Sequence, residues 1–499
     1  MYRRVFLKIT GIAISGLVTP FTSVSQAVET TQPNLLIFIA DDLGWNDVGY
    51  HGSEIQTPNV DSIVADGVEL NRNYAYPVCS PTRAAFFTGR QSYNNSIHSV
   101  VQTFNPGLPL TEHLMPQTFK SAGYQTSLVG KWHLGGEICD KYMPHNRGFD
   151  NFYGYIKGSM DPYTHKPPGK NKESDLLRNG VPVEEEGYCT DLFAAEAITL
   201  IENRDIAKPF FLCLSFQAVH TPLVAPQELI DKYEALGITG NRAIFAAKTE
   251  AMDTAIGTVL NTLQTQGIVN DTLVLFTSDN GGDNTDSAAD NTPLRGRKGT
   301  TFEGGIRVPA AIKWPGVLSA GSKCTQVISV ADYFPTLTTA LGVTPGNTLP
   351  FDGTNRWDQI QGTAANLPPD DLIISSSNVA IFSGNWKLVY VNRTQNYLLF
   401  DIETDPYETS NVLSANSTIA EELITKIAPY IDLPVVSQYD PDSSGITDTG
   451  DVQILAENWL EEGQQLPGDI APGCPDSKVD MLDLTELAKN WLKEYSAGI

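Results

Sequence analysis

Asn34-Leu-Leu-Ile-Phe-Ile-Ala40 runs straight into Asp41-Asp42. An apolar run of strand length without alternation reads as a strand covered on both faces, which is the habit of parallel sheets. Three further segments repeat the pattern. Tyr124-Gln-Thr-Ser-Leu-Val129 reaches Gly130-Lys131-Trp132-His133, and Pro209-Phe-Phe-Leu-Cys-Leu-Ser-Phe216 reaches His220-Thr-Pro222. Thr272-Leu-Val-Leu-Phe-Thr277 reaches Ser278-Asp279-Asn280-Gly281-Gly282. Helical patterns at Asp191–Asn203 and Arg242–Gln266 fit between such strands. The expected fold is α/β, a large mixed and mostly parallel sheet flanked by helices. Ligands of open α/β sheets bind beyond the carboxyl ends of the strands. The four polar endings are therefore expected to meet in one crevice.

Asp41, Asp42, Asp279 and Asn280 have the donors of a hard-cation site. Oxygen ligands suit Ca²⁺, or Mg²⁺, better than zinc. Adjacent aspartates leaving one strand need a neutralising charge, and a divalent ion supplies it. The plainer reading of Asp42 is a cap on the following turn.

Composition sets the outer limits. The 499 residues leave room for several domains. With 33 Lys plus Arg against 58 Asp plus Glu, the formal net charge of −25 excludes a phosphate-backbone or anionic-membrane partner as a leading reading. An anionic substrate would require a local cationic cluster. Six cysteines are too few for a disulfide scaffold. At the N-terminus, Arg3-Arg4-Val-Phe-Leu-Lys8 precedes an apolar stretch from Ile9 to Val18 and a small-x-small site at Ser25-Gln-Ala27. Residues 1–27 read as an export signal of twin-arginine type, placing the mature chain in the periplasm, in the medium or at the cell surface. No other run approaches the roughly 18 apolar residues of a membrane span.

Val78-Cys79-Ser-Pro-Thr-Arg83-Ala-Ala-Phe-Phe-Thr-Gly89-Arg90 starts as a loop and continues as a helix, with Pro81 in its first turn. The helix dipole and Arg83 favour an anion at Cys79. Three residues separate Cys79 from Arg83, where a tyrosine-phosphatase loop needs five. An unmodified catalytic thiol and a buried structural cysteine both fit these residues.

This segment resembles the hallmark of the formylglycine-dependent sulfatases of the alkaline-phosphatase superfamily, Cys-x-Pro-x-Arg followed by Thr-Gly-Arg. The resemblance extends to Ala40-Asp-Asp-Leu-Gly44, Gly130-Lys-Trp-His-Leu-Gly135, His220-Thr-Pro-Leu223 and Ser278-Asp-Asn-Gly-Gly282. It continues through Leu294-Arg-Gly-Arg-Lys-Gly-Thr-Thr-Phe-Glu-Gly-Gly305, Gly384-Asn-Trp-Lys-Leu388 and Phe400-Asp-Ile-Glu-Thr-Asp-Pro406, so it spans about Gln32 to Leu433. Within the family the wording is most similar to arylsulfatase B-type enzymes. The resemblance implies that a maturation enzyme converts Cys79 to formylglycine, whose hydrated geminal diol attacks sulfur and then expels sulfate. Cys79 joins Asp41, Asp42, Asp279 and Asn280 around the metal, and Arg83 stabilises the diol and its loop. Lys131 and Lys298 hold sulfate oxygens. His133 is the base for the elimination, and His220, with Lys298, the acid towards the leaving oxygen. His51, His98 and His113 read as structural, His145 and His165 as structural or cleft residues. Arg295 and Arg297 add positive potential or lie at the surface, and a Cys139–Cys189 disulfide stays open.

The implied organisation is a catalytic domain over 28–366, an α+β subdomain over 367–433 and a separate tail over 438–499. In the tail Asp451-Val-Gln-Ile-Leu-Ala-Glu-Asn-Trp-Leu460 recurs as Asp483-Leu-Thr-Glu-Leu-Ala-Lys-Asn-Trp-Leu492. Asp440, Asp442, Ser444, Asp448 and Asp451, with Gly445, fall at calcium-loop positions. The pair resembles a dockerin module, which implies a cohesin-like or cell-surface partner. Pro472 and Cys474 break the pattern of the second loop. The expected activity is hydrolysis of a sulfate ester on a sulfated carbohydrate, with 4-sulfated galactose or N-acetylgalactosamine favoured. A phosphate or phosphonate monoester hydrolase of the same superfamily and an inactive exported binding protein are the alternatives.

Overall fold

The computed structural model describes residues 32–431 except 103–106, 137–138, 169–172, 286, 368–370 and 377. The export signal and the repeated tail with its calcium loop lie outside the described residues.

Ten strands form one sheet. They are β1 (Asn34–Ala40), β2 (Val68–Leu70), β3 (Gln125–Lys131), β4 (Asn151–Tyr155), β5 (Leu177–Arg178), β6 (Val181–Pro182), β7 (Phe210–Ser215), β8 (Thr272–Ser278), β9 (Ala310–Lys313) and β10 (Ser322–Cys324). Their order is β10-β2-β9-β8-β1-β7-β3-β4-β5-β6. The central five, β8-β1-β7-β3-β4, pair in parallel throughout. Antiparallel pairing enters only towards the edges, through β9 on one side and the β4–β5–β6 turns on the other. The mixed, mostly parallel α/β sheet expected from the apolar runs is the sheet observed.

β1 shows why the central strands lack alternation. Leu35, Ile37 and Ile39 enter one apolar core and Leu36, Phe38 and Ala40 the other, so no position faces water. Helices α1 (Cys79–Thr88), α2 (Cys189–Glu202) and α3 (Asn241–Thr265) supply the coverage. Phe86 and Phe87 of α1 pack into the first core, and Phe193 of α2 and Phe245 of α3 into the second. β3 runs two residues further than its apolar run suggests, taking in Gly130 and Lys131. Gly130 permits this: its φ is +99°, and a Cβ there would collide with the carbonyl of Ser215 on the neighbouring strand.

A second sheet follows, the antiparallel meander β11 (Leu372–Ser375), β12 (Val379–Ser383), β13 (Trp386–Val391) and β14 (Asn396–Asp401). One face carries Ile373, Ile381, Leu388 and Leu399 against α4 (Ser417–Ile431), whose Ala420, Leu423 and Ile427 meet them. The other face, with Ile374, Ala380, Phe382 and Val389, belongs to the first core of the large sheet. Cys139 is disulfide-bonded, but Cys189 is a buried free thiol. The Cys139–Cys189 pairing left open by the sequence is therefore not formed.

Candidate active site

The carboxyl ends of β1, β3, β7 and β8 deliver their polar residues to one place, as parallel pairing requires. Cys79 opens α1, preceded by the extended Val78. The cysteine is 2% exposed, at the floor of the site. Arg83, one turn on, is fully enclosed and spends its guanidinium on three elements. It donates to Asp279 from Nη2 at 2.8 Å and Nε at 3.1 Å, to the Ser215 hydroxyl at 2.6 Å and to the Lys131 carbonyl at 3.0 Å. Arg83 thus fixes where α1, β3, β7 and β8 meet.

The acids lie alongside. Lys131 Nζ stands 2.7 Å from Asp41 Oδ2, and Lys298 Nζ 2.7 Å from both oxygens of Asp42. Asn280 Nδ2 donates to Asp42 Oδ1 at 2.7 Å, and the Asp42 amide approaches Asp279 Oδ1 at 3.3 Å. Asp42 is engaged across the sheet and does not cap a turn. Its φ of +67° and that of His133, +57°, hold two non-glycine residues in the left-handed region, a strain typical of functional sites.

The electrostatics are uneven. Burial alone would raise Asp41, yet Lys131, with His220, Arg83 and Lys298, holds it well below the usual carboxylate range. Asp279 moves upward instead, because burial and the neighbouring Asp41 charge outweigh Arg83. These carboxylates resist being ionised together in the absence of further positive charge. Two buried oxygens have no hydrogen-bond partner, Asp41 Oδ1 and Asn280 Oδ1. Ligand atoms of Asp41, Asp42 and His220 lie within 4.8 Å of one another. Unsatisfied carboxylate and amide oxygens on a cluster of three acids suit a hard divalent cation. The residues present therefore fit one.

The two histidines differ in how they are wired. His133 Nε2 lies 3.2 Å from the Val101 carbonyl, an acceptor only, so Nε2 carries the hydrogen. Nδ1 is then free as a base and sits 3.1 Å from Cys79 Sγ. Burial, with the Lys131 and Arg83 charges, keeps this ring well below the ordinary histidine pKa. His220 Nδ1 lies 2.7 Å from the Thr221 carbonyl, leaving Nε2 to face the acids at 3.7 Å from Asp42. Burial lowers its pKa too, though Asp42 and Asp41 pull the other way.

Every residue named from the sequence for the catalytic crevice is in this cluster, with two changes of contact. Lys131 and Lys298 are paired with carboxylates, because buried acids take the nearest cation. His220, assigned to the leaving oxygen, also stands close enough to Asp41 and Asp42 to share their ligand cluster. Ser215 on Arg83, Gln217 and Lys248 were not singled out; no motif marks them, and only strand pairing reveals Ser215. The other histidines lie outside the cluster. His51 faces the Trp45 carbonyl at 2.6 Å, His113 the Thr118 hydroxyl at 2.9 Å and His145 the Asp140 carboxylate at 3.3 Å. His165 is buried with its ring 3.1 Å from the Gly187 carbonyl, a structural place rather than an open cleft. Arg295 lies over Phe302 and donates to the Glu408 carbonyl, while Arg297 pairs with Asp283.

Comparison with known proteins agrees with this geometry. Residues 33–343 match the family model described as Sulfatase. The chain is 32% identical over 469 residues to Arylsulfatase J of Mus musculus, covering 83% of this chain and 78% of that one. It is 34% identical over 428 residues to N-acetylgalactosamine-6-sulfatase of Mus musculus, covering 81% and 79%. The solved structure of Ps i-CgsB in complex with k-i-k-neocarrahexaose is similar at a TM-score of 0.75 and 30% identity, covering 80% of this chain and 93% of that one. Phosphonate monoester hydrolase of Agrobacterium radiobacter, at a TM-score of 0.57 and 22% identity over 80% and 96% of the two chains, shares the fold. The chain belongs to the sulfatase family and is a sulfuric ester hydrolase.

Proposed function

We propose that this enzyme removes sulfate from a sulfated glycan built on galactose-configured sugars, using a formylglycine derived from Cys79 beside a divalent cation, with Ca²⁺ favoured over Mg²⁺. The observation that carries the reading is the free Nδ1 of His133 aimed at residue 79 from 3.1 Å, inside a ring of Arg83, Lys131 and Lys298. An unmodified thiol suits the site poorly. Burial pushes the Cys79 thiol up despite Lys131 and Lys298, so the nucleophilic thiolate is disfavoured.

Hydrated formylglycine supplies an oxygen nucleophile and a second hydroxyl whose deprotonation expels sulfate. Asp41, Asp42, Asp279 and Asn280 would hold the cation, which would supply Lewis acidity and positive charge beside residue 79. The three carboxylates already face three cationic side chains, Arg83, Lys131 and Lys298. A divalent charge in addition leaves the site positive, which matches an anionic sulfate ester in an otherwise acidic protein. Lys131 and Lys298 orient the sulfate oxygens. His133 Nδ1 removes the proton at residue 79 during elimination. His220 Nε2 delivers a proton to the leaving sugar oxygen; the Thr221 carbonyl holds its ring by Nδ1.

Galactose-type sugars are favoured by the relatives, one named for N-acetylgalactosamine-6-sulfate and one solved with a neocarrahexaose. Sulfate at position 4 is the favoured ester, on the resemblance of the Arg295-Gly-Arg-Lys298 wording to arylsulfatase B-type enzymes; the relative named for position 6 makes that ester its rival. Desulfation of defined oligosaccharides sulfated at position 2, 4 or 6 of galactose and N-acetylgalactosamine tests this. The expected result is turnover of 4-sulfated galactose-type sugars with kcat/KM well above that on the matching phosphate esters. A preference for phosphate esters, or for glucose-configured sugars, would contradict it.

Export and the tail complete the proposal. Residues 1–27 direct the chain out of the cytoplasm, and 438–499 bind a cohesin-like or surface partner around calcium held by Asp440, Asp442, Ser444, Asp448 and Asp451. Deleting 438–499 is expected to leave hydrolysis of small substrates unchanged and to abolish that attachment.

A further inference from the structure

Lys248 belongs to none of the motifs, yet it is completely buried on α3. Among the described residues no carboxylate pairs with it. A buried ammonium is costly unless its hydrogens are taken up, and here backbone oxygens take them. Nζ donates to the carbonyl of His220 and, at 2.9 Å, to that of Pro222. Between these two, the carbonyl of Thr221 accepts from Gln217 Nε2 at 3.2 Å and faces His220 Nδ1 at 2.7 Å. Gln217 Nε2 also reaches the His220 carbonyl at 3.1 Å, and Gln217 is itself fully buried. Three successive carbonyls are thus held by two buried donors. The middle one fixes the tautomer and the ring direction of His220.

We infer that Lys248, with Gln217, is a positioning residue for His220: it clamps the His220–Pro222 backbone so that Thr221 keeps Nδ1 protonated and Nε2 stays aimed at the leaving oxygen. Without the clamp the Thr221 carbonyl can turn away, the ring loses its fixed tautomer, and Nε2 faces the site only part of the time. The bulk of the fold does not require the charge, since α3 is already anchored by Phe245, Met252, Ile256 and Val259 in the second core.

This inference rests on the proposed acid role of His220, and the experiment separates the two. Lys248→Met, Gln217→Leu, His220→Ala and the double variant Lys248→Met/His220→Ala are assayed on a sulfated galactose and on 4-nitrophenyl sulfate, with circular dichroism to establish folding. Nitrophenolate leaves without protonation, whereas a sugar alkoxide needs the acid. Lys248→Met and Gln217→Leu are each expected to lower kcat/KM on the sugar sulfate about 10- to 100-fold and on the aryl sulfate less than about threefold, a share of the 10²–10⁴-fold that an acid supplies. In the His220→Ala background, Lys248→Met should cost less than about twofold more, because both act through one ring. If His220→Ala costs both substrates equally, the acid role fails, and the additivity test alone then judges the clamp. Full additivity of Lys248→Met with His220→Ala, or equal losses on both substrates in the folded Lys248→Met and Gln217→Leu proteins, would overturn the positioning role. Should Lys248→Met fail to fold, Gln217→Leu alone and combined with His220→Ala carries the same comparison.

Discussion

Lys131 and Lys387 are both buried lysines paired with acids, one at the carboxyl end of the large sheet and one beneath the meander. Lys387 Nζ stands 3.0 Å from Glu303 Oε1 and 2.8 Å from Glu408 Oε1. The remaining oxygens are also engaged: Glu303 Oε2 accepts from the Tyr74 hydroxyl at 3.0 Å and Glu408 Oε2 from the Glu303 amide at 2.8 Å. Every carboxylate oxygen of that cluster thus has a cation or a donor, Glu408 Oε1 through its ion pair alone. Around Lys131 the same residue types leave Asp41 Oδ1 and Asn280 Oδ1 without partners and hold Asp41 and Asp279 on opposite sides of the usual carboxylate pKa. Buried charge by itself therefore does not distinguish a site from a strut. Left-handed backbone does not either, since Glu408, at φ +56°, shares it with Asp42 and His133. Oxygens with neither a hydrogen bond nor an ion pair do, because Glu408 Oε1 still has Lys387 while Asp41 Oδ1 and Asn280 Oδ1 have nothing.

The contrast can be broken by substitution. Cys79→Ala should have the largest effect, a loss of at least about 10⁴-fold in kcat on any sulfate ester, as for other nucleophile deletions, with thermal stability unchanged. A stable variant that keeps a tenth of its activity would contradict the role of the open cluster. Asp41→Asn should follow, costing about 4 kcal/mol of transition-state stabilisation, roughly 10³-fold. It should also remove the Ca²⁺ response of melting; at a hundredfold excess over Kd the wild type gains about 2.7 kcal/mol. Equal Ca²⁺ stabilisation of both proteins would place the ion elsewhere.

Lys387→Met should behave oppositely. It strands two carboxylates and should cost about 3 kcal/mol of folding stability in a denaturant titration. The loss should shrink as pH falls, because burial already raises the Glu408 carboxyl and a proton then replaces the lysine. Activity per folded molecule on a small aryl sulfate should change little. The smallest effect is in the pH profile. His133 is held below the ordinary histidine pKa, so its base form persists into acid and the acidic limb of kcat/KM should lie below about 6.5. His220 is lowered as well, so with sugar sulfates activity should already decline as pH rises past about 6.5, and with nitrophenyl sulfate it should not.

Much of this was readable along the chain. β1, β7 and β8 announce themselves because strands buried on both faces need no alternation, and their endings carry the acids and His220. Parallel pairing then brings together residues such as Asp41 and Asp279, which are far apart in sequence. The edge strands β5 and β6 were not legible, since two-residue pairings leave no periodic trace. Nor was the tie between Glu303, Lys387 and Glu408, although each lies in or near a quoted motif, because a pairing across such separations has no signature in one sequence. The ion pairs of Lys131 and Lys298 with Asp41 and Asp42 were missed for a related reason: motif matching assigns a lysine its ligand and is silent on its neighbours.

The most direct test of the open cluster is the mass of the peptide spanning Cys79, measured in preparations made with and without a formylglycine-generating enzyme. Specific activity on a sulfated galactose should rise in proportion to the fraction of residue 79 present as aldehyde and vanish with the thiol. Full activity in a preparation carrying only the unmodified thiol would contradict the account.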